Sequence, residues 1–109
     1  MLIRLASLLV VLLTLGCAEE YKYKEPDWEQ LKRQGDPLVA AIQDFEQQHG
    51  RPPKSFEECG LAAPKSLFGP WRYYVGEDGS SWGISVGHYE RDGFVLYWDD
   101  SFGEWMEDQ

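Results

Sequence analysis

Positive charge is scarce in this sequence. Ten Lys and Arg stand against nineteen Asp and Glu, a formal net charge of -9. An acidic chain repels nucleic acid and gains nothing from anionic lipid head groups. No basic cluster or RNA-stacking motif offsets the deficit, so nucleic acid is excluded as a partner. Histidine and cysteine are nearly as scarce: His49, His88, Cys17 and Cys59 are the full set. No two of them stand at zinc-site spacing. No glycine loop of phosphate-binding spacing precedes a helix. The carboxylates cluster in turns, where solvation accounts for them. The sequence therefore predicts no enzyme, no cofactor and no metal. A Cys59–His88 pair is conceivable as a nucleophile and base. Cys59, however, falls on the inner side of a predicted helical turn, where a free cysteine packs as a small apolar side chain. His49 is expected in the last turn of a helix, beside its negative end. Long apolar runs are missing too. The longest, Leu5 to Leu15, falls short of the roughly 20 residues that cross a bilayer.

That run has the length of a signal-peptide apolar region, with Arg4 as the positive start. It closes on Leu13-Thr14-Leu15-Gly16-Cys17, followed by Ala18. These residues resemble the lipobox of bacterial lipoproteins, although Thr14 stands where Leu is commonest. The resemblance implies cleavage before Cys17, diacylglycerol on its thiol and a membrane-held product. Two or more acyl chains hold firmly where one binds reversibly. By the same resemblance, Ala18 rather than Asp after the cysteine favours the outer membrane. The expected organisation is a signal peptide over residues 1–16, a lipid-anchored tether with a short helix over 17–35, and a soluble domain over 36–109. Cleavage would leave 93 of the 109 residues, room for one domain. A chain so short needs a core dense in large side chains. Five Trp, six Tyr and five Phe supply it.

The domain reads as α+β. Asp27 to Gln34 predicts two helical turns capped by Asp27 and ended by Gly35. Asp36-Pro37 predicts a fresh helix start. Leu38, Ala41, Ile42 and Phe45 then form one apolar stripe, closed by Gly50 and Pro52-Pro53. Ser55-Phe56-Glu57-Glu58 is a capping-box pattern that predicts one more turn, ended by Gly60. Leu61 to Pro70 reads as a loop. Beyond it the period changes to two. Trp71–Val75, a half-buried strand from Trp82 toward Tyr89, and Phe94–Trp98 are strands. Arg91-Asp92-Gly93 supplies hairpin chemistry, and Glu104–Met106 a short edge strand. One amphipathic helix and a helical turn should pack on a three- to four-stranded antiparallel meander, leaving its other face wet or half wet.

Part of this stretch resembles a family. Phe45-x-x-x-His49-Gly50-Arg51-Pro52-Pro53, Ser55-Phe56-Glu57-Glu58-Cys59-Gly60 and Gly69-Pro70-Trp71-x-Tyr73 look like the globular part of type II secretion major pseudopilins, over residues 36 to 75. The resemblance implies their helix-plus-small-sheet fold. It does not imply filament assembly, because a lipobox-like leader replaces their methylated apolar helix. Cys59 also stands where their pattern prefers Leu. Pseudopilins carry calcium in an acidic loop near their C-terminal end. The matching segment here, Asp99-Asp100-Ser101-Phe102-Gly103-Glu104, lacks EF-hand order and is expected to be a solvated turn without calcium.

Alternating strands cannot turn every aromatic inward. Some of Tyr74, Tyr89, Tyr97 and Trp105 are expected to be exposed: such aromatics either cover the thin edges of a small core or, beside carboxylates, suit a sugar or a protein. The sequence thus predicts a lipid-anchored accessory or interaction module of the cell envelope, or else a glycan-binding module. Its expected partners are the bilayer, through acylated Cys17, and an envelope protein or glycan.

Overall fold

The computed structural model describes residues 25–109. The leader, Cys17 and the tether up to Lys24 lie outside the described residues. The fold is α+β: helix α1 (Trp28–His49), a 3-10 turn (Glu57–Cys59), strands β1 (Lys65–Ser66), β2 (Gly69–Pro70), β3 (Arg72–Val75) and β4 (Trp82–Val86), a one-turn helix α2 (Tyr89–Asp92), and strands β5 (Val95–Asp99) and β6 (Glu104–Asp108). Among the described residues no helix is long and apolar enough to cross a membrane.

The expected break at Gly35 is absent. One helix runs from Trp28 through Gly35 and Pro37 to His49. Its start is the expected cap: the Asp27 carboxylate accepts the Gln30 N–H at 3.1 Å. Its end is the expected Gly50, at φ 71°, whose N–H donates to the Glu46 carbonyl at 2.9 Å. Asp36 caps nothing and accepts the Trp105 indole N–H at 2.8 Å. Gln34 accepts the Trp71 indole N–H at 2.7 Å. Gly35 between them is buried under both rings. Tertiary packing therefore overrides the local stop signal. Pro37 leaves the Arg33 carbonyl without its helical donor. Both residues are exposed, so water can replace that donor. The packed part of the chain consequently reaches back to Trp28 and Leu31, within the span where the sequence predicts a tether.

The buried stripe is Leu31, Gly35, Leu38, Val39 and Ile42. Val39 thus joins the expected stripe, while Ala41 and Phe45 flank it, half-buried. Beyond α1 the expected capping box forms in altered shape. Ser55 Oγ accepts the Glu58 N–H at 3.3 Å, and the Glu58 carboxylate reaches back one residue further, to the Lys54 N–H at 3.0 Å and Arg51 at 2.7 Å.

The main sheet is antiparallel in the order β3-β4-β5-β6. Tyr73, Ile84, Trp98 and Trp105 lie opposite one another across it. They share the face that packs on α1, together with Trp82, Val86 and Leu96. Trp82 stacks on Trp98 at 4.9 Å. The strand Trp82–Val86 is almost wholly buried, where alternation predicted half. Two connections depart from expectation. The 61–70 loop folds into the small hairpin β1–β2, and residues 89–93 make the single turn α2, closed by Gly93, in place of a tight hairpin.

Candidate functional site

The sheet face turned away from α1 carries Arg72, Ser85, Tyr97 and Met106 in one row and Tyr74, Gly83, Asp99 and Glu104 in the next. Strand alternation puts them there. Tyr74 belongs to β3 yet donates its phenol hydrogen to Asp99 of β5, two strands away, at 3.2 Å. It crosses Gly83, where any Cβ would collide with the phenol ring. Gly83 is buried beneath that ring although it faces outward. At the other end of this face, Tyr89 of α2 donates to the Asp108 carboxylate at 2.5 Å. Asp108 is the ladder partner of Val95, which is buried there.

Both rings are consequently exposed, at 41% for Tyr74 and 51% for Tyr89, while their phenols are fixed. Burial first, and then the Asp99 carboxylate, push the Tyr74 phenol up to about 12. The hydrogen bond to Asp108 is the main reason the Tyr89 phenol is raised. Both hydroxyls therefore stay protonated donors at neutral pH. Between the rings lies an open depression of about 510 Å³, lined by Arg72, Tyr74, Ser85, His88, Tyr89 and Val95 among others. Arg72 donates to the Gly87 carbonyl. No carboxylate among the described residues lies within ion-pair distance of its guanidinium. Chemically the surface offers two held ring faces, a cation, an imidazole and a hydroxyl.

Three of the four expected aromatics meet on this face: Tyr74, Tyr89 and the half-buried Tyr97. Trp105 does not. The register pairs it with Trp98, and its ring turns inward onto Gly35 and Trp71 at a centroid distance of 5.8 Å. The sequence reading also missed Arg72 and Ser85. Pairing Tyr74 with Gly83 would have revealed them, but that register depends on the length of the 76–81 turn.

The remaining sequence candidates lie elsewhere. Cys59 is half-buried against the core on the 3-10 turn, and burial raises its thiol pKa. No hydrogen bond joins it to His88, which lines the depression on the outer face. His49 is exposed and stacks on Phe45 at 4.1 Å. In the acidic turn, Asp99 accepts the Ser101 N–H at 2.8 Å, and Asp100 accepts the Trp82 N–H at 3.0 Å. Among the described residues no three His, Cys, Asp or Glu side chains converge as a metal site. Comparison with models of protein families, with curated proteins and with solved structures finds no match.

Proposed function

We propose that this chain is a lipid-anchored accessory or interaction module of the bacterial cell envelope. It would be held at the outer membrane through acylated Cys17 and meet its partner with the outer sheet face. The observation that carries the interaction is the pair Tyr74 and Tyr89, exposed as rings but fixed as phenols. A pinned aromatic presents contact area with little rotamer entropy left to lose on binding. The anchor rests on the apolar run that closes on Gly16-Cys17. The likeness of residues 36–75 to pseudopilins is taken as one of fold, without filament assembly.

The anchor is tested by metabolic labelling. Labelled palmitate should enter the wild type and not Cys17→Ser, which should accumulate as uncut precursor. Equal labelling of both chains would end this reading. A second reading, glycan binding, is favoured by the same depression, because flat sugar faces stack on tyrosine rings and sugar hydroxyls bond to Ser85 and Arg72. An array of envelope oligosaccharides separates the two. Binding that Tyr89→Ala abolishes would establish the glycan. Binding to none, with protein cross-links through Tyr74 or Tyr89, would establish the protein partner.

A further inference from the structure

The β1–β2 hairpin presents Leu67 at its tip, 98% exposed. A single exposed apolar residue is ordinary on a mobile loop. This one is held out by its surroundings. Ser66 Oγ accepts the Phe68 N–H at 3.0 Å and donates to the Gly69 carbonyl at 2.9 Å. Arg91 donates to the Phe68 carbonyl at 2.6 Å. The Phe68 ring packs edge-on against Phe94 at 4.8 Å. The Trp71 N–H ties the base of the hairpin to the Pro64 carbonyl at 3.2 Å.

One cation, unpaired among the described residues, stands beside the tip, and a second, already paired, braces it. Lys65 is exposed, and the Arg91 guanidinium, paired to Asp92 at 3.0 Å, lies against Gly69. The hairpin and the first two turns of α1 enclose a groove of about 450 Å³, lined by Asp27, Gln30, Leu31 and Gln34 on the helix side and by Leu67 and Phe68 on the other. Leu67 therefore stands at the end of the molecule where the chain arrives from Cys17. Glu25 is eight residues after Cys17, and eight residues reach at most ~28 Å. Phe102, 62% exposed, lies at the opposite end. Its turn is tied through Trp82 to Glu46 in the last turn of α1, at 3.4 Å. That is roughly 30 Å along the helix from Asp27.

We infer that the hairpin tip is a second membrane contact: Leu67 enters the acyl region of the bilayer while the exposed Lys65 beside it stays at the head-group level. The inference rests on the lipid-anchored reading. A rigid apolar tip at the Asp27 end of α1 would fix which end of the domain faces the bilayer. Basic side chains with long apolar stems suit that boundary.

The test uses the full lipoprotein in vesicles of phosphatidylethanolamine and phosphatidylglycerol. In a Cys59→Ala background, an environment-sensitive fluorophore is placed on Leu67→Cys or on Phe102→Cys. Emission from position 67 should shift to the blue and be quenched by lipids spin-labelled in the acyl chain, with neither effect at position 102. Because the fluorophore is itself apolar, hydrogen exchange on the unlabelled chain provides a second readout. The Phe68 and Gly69 amides should gain protection on vesicles, and Leu67→Asp should lose that gain while still floating with the vesicles. Water-like emission at 67 and unchanged exchange, on a chain that floats, would overturn the inference and leave the anchor standing. A chain that neither floats nor takes palmitate would overturn both.

Discussion

The indole of Trp105 lies directly on Gly35 of α1, and Trp71 closes on the same spot, so near that a Cβ at Gly35 would come within 2.8 Å of its ring. On either side the two indole N–H groups are accepted by Gln34 and Asp36. Three consecutive helix residues thus hold two tryptophans, and the middle one must have no side chain. Gly35→Ala should gain up to about 1 kcal/mol of helix propensity and lose about 1–3 kcal/mol to overpacking. Urea unfolding should report a net loss. A net gain would mean that the rings move aside freely.

Core and flank of α1 should separate by mutation. Ile42 is fully buried, whereas Phe45 is half-buried and covered by His49 and Arg51. Ile42→Ala should cost about 2–5 kcal/mol. Phe45→Ala should cost less, despite its larger ring, because that ring is only partly buried and its cover is the exposed His49 and Arg51. Equal losses in chemical denaturation would contradict the assigned helix face.

Alkaline titration probes the sheet face. The Tyr74 phenol, raised to about 12 by burial and by Asp99, is neutral in the folded state well above the usual 10.0. Its contribution to stability is full below pH 10 and is lost as pH rises through 12. Asp99→Asn should lower the Tyr74 pKa, visible as an earlier rise of phenolate absorbance in the ultraviolet. An unchanged titration curve would separate Tyr74 from Asp99.

Acid should act at the 76–81 turn. The N–H and hydroxyl of Ser80 and the N–H of Ser81 hold the Asp78 carboxyl at about 2, below its usual 3.8. A depressed pKa adds stability above pH 4, and that stability is lost as pH falls from 4 to 2. Asp78→Asn should therefore flatten the dependence of thermal midpoint on pH across that window. A parallel curve, merely displaced, would mean the carboxylate has no such role.

Cys59 should label slowly with a thiol reagent in the folded protein at neutral pH and quickly in denaturant. Half-burial and a raised pKa both keep the thiol protonated and hindered. Rapid native labelling would reopen thiol chemistry at this position.

Much of the fold is legible in particular residues. Asp27 and Gly50 bound α1 because capping is decided within four residues of each helix end. Trp82, Ile84 and Val86 announce β4 because a period of two is local. The α+β class follows from one helical stripe succeeded by such strands. The site is legible only in part: Tyr74, Tyr89 and Tyr97 meet on one face, while Trp105 turns inward. Spacing within β6 cannot say which parity faces α1, because the register with Trp98 sets it.

Local signals settled composition, element type and caps, since each depends on neighbours in sequence. Tertiary structure alone decided that Gly35 continues a helix, that Asp36 receives an indole and that Leu67 stands outside a fixed hairpin. It also decided that Tyr74 crosses a glycine to reach Asp99. Each of these joins residues distant in sequence through a close approach or a hydrogen bond. Such contacts outweigh a local preference of about 1 kcal/mol only once the whole core has assembled.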